Sequence, residues 1–522
     1  MKSNVIAVVG GGASAVSFLD SLAREYRDTA RRPLTLFLVE KRRFTGRGLA
    51  YDADLSTNLL NTRAGYITPF PDKPGHFYGW LTANRHQWEE DFPGLAVDEQ
   101  TFVPRPLFGL YLEYMMSELS GRLAQLGINL VQLRAEVLDM HRTNDGDVIL
   151  RTDTSLTIRA DQVILSCGNL QSREYSALDA HPGFHSSPYP IKRLTRTIDK
   201  DAGVAILGAR LSAIDIALGL AGAGHRGPMT MVSRSGYYPS VRGTQGRYVP
   251  RVLTLERIRQ EVRKAGGRLA LATLVGLAVE ECAHAGCGDV STLMLPPAPP
   301  RDPLAWFEAE IAAATRPRPW QAVLYATNSF VDYAWQYLDE ADKVLFLKHY
   351  QAAWMAYRVS IPVENAEKLV ALAKAGRLRF ANGTAEVATR AGGGFDVALS
   401  GPAGRADHGF DAVIGAFGSP RDPALLDSRL VGNLLGSGLA RAHRHGGIDV
   451  DGDTNRLIDA HGWTVPNIRV IGELTSGVYF FTSVLEINAR HAARCAHDLM
   501  AAIAATQPAV APATAFALAR HG

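Results

Sequence analysis

An α/β fold built on two strand–glycine turn–helix units is what this sequence predicts, and three observations predict it. The first is Val5-Ile6-Ala7-Val8-Val9-Gly10-Gly11-Gly12-Ala13-Ser14-Ala15, an apolar strand, a tight turn and a helix start in the spacing G-x-G-x-x-A. The second is Val204-Ala205-Ile206-Leu207-Gly208-Ala209-Arg210-Leu211-Ser212-Ala213, the same device with Arg210 at the middle glycine. The third is Leu34-Thr35-Leu36-Phe37-Leu38-Val39, an apolar run ending in Glu40. A run without alternation is how a strand buried on both faces of a parallel sheet reads.

At 522 residues the chain exceeds one core, so two or three domains are expected. Residues 4–10 predict the first strand and Ala13 to about Tyr26 the helix after it. With the run ending at Glu40 they complete a βαβ unit. Residues 45–85 are irregular. Tyr111 to about Leu126 reads as an amphipathic helix. Leu130–His141 and Asp147–Ile158 read as meander strands around the turn Asn144-Asp145-Gly146. Gln162–Gly168 is another buried strand. A second unit starts near Ala202, with its turn at Gly208, a helix to about Ala223 and a strand over Met229–Arg234. Residues 251–375 read as mostly helical and rich in aromatics, including Trp306, Trp320, Tyr325 and Trp354. Most of these fill a helical core, and a minority could line a substrate pocket. Strand signals return at Leu378–Phe380, Phe395–Leu399, Ala412–Phe417 and Asn467–Glu473. Ser483 to about Ile503 is the last long helix. The expected organisation is a discontinuous first domain (1–195 and 376–505), a second nucleotide unit (196–250) carrying a helical insertion or substrate lid (251–375), and a flexible Ala/Pro-rich tail (506–522).

Composition excludes several classes. A net charge of +3 lacks the basic stripe of a dedicated nucleic-acid binder. The four cysteines, Cys167, Cys282, Cys287 and Cys495, are too sparse for a disulfide framework. No C-x-x-C pair suggests a redox dithiol. Cys282, His284 and Cys287 lack the fourth ligand and second pair of a metal site, so no metal is expected. No segment approaches the ~20 apolar residues of a membrane span. The N-terminus runs straight into a strand with no signal-peptide pattern. A cytoplasmic protein without nucleic-acid or membrane partners is expected.

The turns carry the chemistry. Gly10 permits the bend, Gly12 lets the backbone approach phosphates, and Ala15 lets the helix pack close to the sheet. Glu40 stands where a carboxylate bonds an unphosphorylated ribose, as in FAD or NAD. In the second unit Gly208, Ser212, Ala213 and Asp215 are retained. Arg210 keeps the backbone off a pyrophosphate, yet its fork can itself reach phosphates. Arg234, between Ser233 and Ser235, follows the next strand, where a basic residue selects a 2′-phosphate and hence NADPH. The alternative is a relic unit that binds nothing.

Gly46-Arg47-Gly48-Leu49-Ala50-Tyr51 and Asn58-Leu59-Leu60-Asn61-Thr62 resemble the "G-x-G-x-A-Y … H-L-L-N-x" signature of the FAD/NAD(P)-binding flavin oxidoreductase family. Phe70-Pro71-Asp72 and Phe77-Tyr78-Gly79-Trp80-Leu81 continue the likeness. Phe102–Tyr111 is similar to that family's "F-x-P-R-x-x-[FY]-G-x-Y", and Met231–Gly236 to the segment after its second turn. The resemblance runs over most of residues 4–495. It implies FAD at the first site, with Gly10, Gly12 and Ser14 on the pyrophosphate and Glu40 on the ribose. It places Arg47 and Asn61 beside the pyrophosphate and flavin, and Val137 at the adenine. Cys167-Gly168 would lie at a strand end beside the cofactor. Gly472-Glu473 stands where relatives carry Gly-Asp near the ribityl chain. Thr482, Ser483 and Val484 would open the final helix towards the pyrophosphate or flavin. Cys167 as a redox thiol competes with Cys167 as a small buried strand-end residue, and the second is preferred.

A flavin with a nicotinamide implies hydride transfer from NADPH. No Ser/His/Asp, paired-carboxylate or metal constellation competes with that chemistry. The expected function is an NADPH-reduced monooxygenase that uses O₂, through a flavin hydroperoxide, to oxygenate a small nucleophile such as an amine or amino acid. No catalytic residue is fixed by the sequence; Asn61, Asn328 and Arg358 are the candidates. The alternatives are an amine oxidase or dehydrogenase with a relic second site, and a nucleotide-responsive binding protein.

Overall fold

The computed structural model describes residues 4–27, 33–288, 298–402 and 404–505. The tail expected over 506–522 lies outside them. A six-stranded sheet runs Arg456–Ile458, Thr464–Val470, Gln162–Leu165, Asn4–Val9, Leu34–Glu40 and Ile128–Arg134 in spatial order. All neighbours pair in parallel except the Arg456–Ile458 edge. The first helix, Ala13–Arg27, follows the turn. Its apolar residues recur at Ala15, Leu19, Leu22 and Tyr26, all buried, so one stripe faces the sheet and its neighbours. It packs against the last helix, Leu485–Ala505, and the helix Arg105–Gln125.

A second, five-stranded parallel sheet runs Leu378–Asn382, Met229–Ser233, Val204–Leu207, Ala412–Gly415 and Phe184–His185. This corrects the expected boundaries. The strands from 378 to 415 join the second sheet, although the sequence pattern places 376–505 in the first domain, and Phe184–His185 from that domain's other half joins them. The helix Val363–Lys374 is the crossover between the parallel neighbours Met229–Ser233 and Leu378–Asn382. Its Ala366 and Leu369 share a core with Val204, Ile206, Met229 and Phe307. The helices expected as a lid are therefore an insertion within one βαβ crossover, and their last helix belongs to the sheet. A parallel crossover tolerates any length, so hydrophobic pattern alone cannot tell which sheet the chain rejoins.

The meander differs in detail. Ile128–Arg134 pairs with Leu34–Glu40, and the three-stranded meander is Val137–Arg142, Val148–Thr152 and Thr157–Ala160. A second such meander, Thr384–Thr389, Phe395–Gly401 and Gly404–Phe410, hangs from the second sheet. Among the described residues no helix is long and apolar enough to cross a membrane.

Acid is expected to weaken this fold. His76, His185, His225, His443, His445 and His491 are all held below the ordinary imidazole value, with burial as the leading cause. His491, bonded to Asp332 at 2.9 Å, is pushed furthest, to about 4. The unfolded chain takes up protons near pH 6.5 that the folded chain refuses. The stability is complete above that pH and is lost as pH falls towards 4. Thermal unfolding midpoints measured between about pH 7 and 4.5 should fall steadily, and a flat profile would contradict these burials.

Candidate functional site: two glycine turns and the cleft between them

The two turns are the same device in three dimensions. Gly10 has φ +97°, and a Cβ on it would fall 2.3 Å from the Ser166 carbonyl oxygen. Gly208 has φ +149°, and its Cβ would fall 2.5 Å from the Ala416 carbonyl oxygen. In each unit the glycine follows its strand's last residue and stands level with the residue just past the end of the neighbouring parallel strand, whose carbonyl closes over it, so only glycine fits.

Parallel register gathers the first site. Val9 is level with Val39 and with Leu165, and Leu165 with Val470. Gly10, Glu40, Cys167-Gly168 and Gly472-Glu473 thus meet at one carboxyl edge, where α/β sheets bind ligands. Val137 lies just beyond, since Ala135 N–H donates to the Glu40 carbonyl at 3.2 Å. The Glu40 carboxylate accepts from Gly11 N–H at 2.8 Å and Arg42 N–H at 2.9 Å. It clamps the turn; Oε1 also faces the Arg42 guanidinium at 3.5 Å, while Oε2 accepts only the Gly11 bond. Arg47 is turned to Glu113, with Nε at 2.7 Å, and lies over the Phe44 ring. Glu473 accepts from the Thr482 hydroxyl at 2.9 Å, which joins the last strand's end to the segment before the final helix. Burial raises the Glu473 carboxyl against the opposing pull of Thr482 and Arg421. Ser483 is exposed and Val484 half-buried; both precede the helix, which starts at Leu485. Burial pushes the Cys167 thiol up to about 12, so it is no thiolate at neutral pH.

This edge fits a dinucleotide. Among the described residues the N–H groups of Gly12, Ala13 and Ser14 have no acceptor, and they open the first helix. Ala15 is fully buried beneath them. Gly168 and Gly472 have nothing within 4 Å of where a Cβ would stand, so the strand ends face open space.

In the second unit Arg210 is the residue before the helix Leu211–Gly222. Burial and the neighbouring Arg234 push its guanidinium down to about 10, and it stays a cation at neutral pH. Arg234 and Ser235 are exposed at the adjacent strand end. Asp215 is not available to a nucleotide. It is 2% exposed and forms an ion pair with Arg105, the first residue of the helix Arg105–Gln125. Tyr189 donates to Asp215 at 2.9 Å and lies 3.1 Å from the Ser212 hydroxyl. Burial works against the Arg105 charge, but Asp215 and Tyr189 outweigh it and raise the guanidinium above its ordinary value. Arg105 and Tyr189 were missed as site residues, because nothing in the sequence shows that they converge on Asp215.

Asn61, Asn328 and Arg358 come together around Tyr325, one of the aromatics of the helical region. Arg358 donates to Asn328 Oδ1 at 2.5 Å, and Asn328 Nδ2 donates to Glu486 at 3.1 Å. The Asn61 carbonyl accepts from Arg242 at 3.0 Å. Arg242 and Arg358 both lie over the Tyr325 ring.

Two parallel sheets, each opening a glycine turn at its carboxyl edge, define the class of α/β proteins with paired dinucleotide-binding domains. Residues 7–170 match the family model described as FAD-NAD(P)-binding. An uncharacterized protein, YdhS, of Escherichia coli (strain K12) is 22% identical over 422 residues, 71% of this chain and 75% of that protein. The reduced form of the ornithine hydroxylase of Pseudomonas aeruginosa superposes with a TM-score of 0.56 at 15% identity, over 96% of this chain and all of that one (100%). The ornithine N-hydroxylase of Kutzneria sp. 744, solved with reduced FAD, NADP+ and L-ornithine, gives 0.55 at 16% identity, over 96% and 100%. The FAD-bound cadaverine monooxygenase of Erwinia amylovora gives 0.56 at 13% identity, over 96% and 94%. At these identities the fold is what is shared.

Proposed function

We propose that this chain is an FAD-dependent, NADPH-reduced monooxygenase that uses O₂ to oxygenate a small nucleophilic substrate, with N-hydroxylation of an amine or amino acid as the form its structural neighbours carry out. The observation that carries the reading is the second turn. Among the described residues neither Arg210 nor Arg234 is paired with a carboxylate, and Arg210 is held beside the exposed Arg234 although burial penalises its charge. A relic unit has no reason to keep two such cations together; a phosphate site has.

FAD would be held by the N–H groups of Gly12, Ala13 and Ser14 at its pyrophosphate, by the Glu40 carboxylate at a ribose, and by Val137 near the adenine. Gly168, Gly472, Glu473 and Thr482 would border the remainder, with Cys167 as packing. Arg210 would reach the NADPH pyrophosphate, Ser212 would lie beside it, and Arg234 with Ser235 would take the 2′-phosphate. When bound, the flavin supplies acceptance of hydride from the nicotinamide and activation of dioxygen. The chain's own part is to orient both nucleotides across the cleft and to keep water from the reacting atoms. The free state of the described cysteines supports a reducing, cytoplasmic setting.

NADPH mixed anaerobically with the yellow protein should bleach the flavin band promptly. Arg210→Ala should keep its flavin and raise the KM for NADPH by roughly tenfold or more, the loss of a charge-assisted bond. Arg234→Ala should erode the preference for NADPH over NADH. Bleaching by an amine but not by NADPH would favour the oxidase reading. An unchanged KM in Arg210→Ala would remove that arginine from the phosphates.

A further inference from the structure

The two nucleotide sites leave one cluster unexplained. Arg242 and Arg358 are 8% and 3% exposed, and their guanidinium carbons lie 3.6 and 4.0 Å from the centre of the Tyr325 ring. Arg242 donates from Nε to the Ser360 hydroxyl at 2.7 Å, and the same hydroxyl is 2.9 Å from the Tyr325 hydroxyl. Arg63, also buried, directs its fork to the carbonyls of Gln245 and Gly243, both at 2.7 Å. The Nε groups of Arg63 and Arg358 are buried with no acceptor. Every acceptor these three arginines do have is neutral: a carbonyl, an amide or a hydroxyl.

Arg242 feels the charges of both Arg358 and Arg63, while the Glu486 carboxylate acts on Arg358 only from behind Asn328; buried guanidiniums without a directly bonded counter-charge are costly. Arg105, Arg318 and Arg469 are paired, with Asp215, Glu310 and Asp498. Arg210, at the second turn, is likewise left without a carboxylate, and there a nucleotide phosphate is the proposed partner; the Arg242–Arg358 cluster has no such assignment, and it falls where the helical insertion meets the first domain. Asn61 comes from the loop after the first domain's second strand, and Phe481, under Arg358 at 5.3 Å, from the segment before the final helix. Asn61, Tyr325 and Asn328, which touch the buried cations, are themselves only half-buried, so the cluster adjoins accessible surface.

We propose that Arg242 and Arg358, with Tyr325 and Ser360, bind a carboxylate of the substrate, so that this site takes an acidic molecule and rejects a simple diamine. Calling the ligand a substrate rests on the monooxygenase reading; the anion site itself does not. Guanidinium forks match a carboxylate in two parallel hydrogen bonds, and the same field repels an ammonium group. Within the amine and amino-acid classes, this selects molecules that carry a carboxylate.

The test is calorimetric titration of the full, FAD-loaded protein at fixed ionic strength with glutarate and with 1,5-diaminopentane, five-carbon chains of opposite charge. Glutarate should bind and the diamine should not. Arg358→Gln should weaken glutarate by roughly tenfold or more. Arg358→Lys, which keeps the charge but loses the fork, guards against misfolding of the first variant and should fall between it and the parent. Failure of glutarate to bind, binding of the diamine at equal strength, or unchanged affinity in Arg358→Gln would overturn the proposal. Competitive displacement of glutarate by NADP+ would assign the arginines to the nucleotide and overturn it equally. Flavin bleaching by NADPH is read separately. Prompt bleaching without glutarate binding rejects only the carboxylate site, and glutarate binding without bleaching rejects only the monooxygenase reading.

Discussion

Gly10→Ala is expected to give a protein that is markedly less stable and purifies without its yellow colour. The added methyl would stand 2.3 Å from the Ser166 oxygen and 2.8 Å from its carbonyl carbon. Both are backbone and cannot swing away. Ser166 is tied to this turn by its N–H to the Val9 carbonyl at 2.8 Å and its hydroxyl to the Gly10 carbonyl at 2.7 Å. The φ of +97° adds the strain of a left-handed residue, about 1–2 kcal/mol. Overpacking adds about 1–3 kcal/mol. Relief requires the turn to part from the strand beside it, which carries Gly12, Ala13 and Ser14 away from the phosphates. The ratio of visible to ultraviolet absorbance after purification, with chemical denaturation, measures both effects. Gly94→Ala is the control. Its φ of +72° is strained, nothing lies within 4 Å of the new methyl, and it is none of the residues placed on the cofactor, so its flavin should stay. A Gly10→Ala protein with a full complement of FAD would show that this turn is not the cradle.

Arg105→Ala should cost about 3–5 kcal/mol, because it leaves the Asp215 carboxylate buried without its cation. The consequence extends beyond stability. Arg105 opens a helix of the first domain, and Asp215 sits on the helix that follows the second turn. Their ion pair, with Tyr189 reaching towards Ser212, fixes one nucleotide unit against the other. Loosening it should slow flavin reduction by NADPH even at saturation, since orientation of the two reacting rings depends on that register. Urea unfolding and anaerobic stopped-flow reduction measure the two effects. Adding Asp215→Asn to Arg105→Ala removes the orphaned charge and should recover part of the stability but not the rate. Recovery of both would reduce the pair to a purely structural role.

How much of this was legible beforehand follows from the range of each signal. Two turns, their strands and helices, and Glu40 at a strand end are written in contiguous residues. The backbone freedom of glycine and the apolar runs act over a few positions, and the structure places all of them as read. The Arg210 substitution was visible for the same reason. Its burial beside Arg234 was not, because that depends on two strands lying level.

What the sequence by itself determined about this protein is local: the α/β class, the paired glycine turns and the carboxyl-edge residues of the first. What only the tertiary structure decided is the partnering of distant segments. Strands 378–415 could have joined either sheet until the crossover through Val363–Lys374 was closed. Arg105 and Asp215 lie 110 positions apart, and Arg242 and Asn61 lie 181 apart. No periodicity or spacing links such pairs. They meet because burying the apolar faces of two sheets and an inserted helical lobe leaves these polar groups no water to bond, and each must find its partner in the other segment or in a ligand.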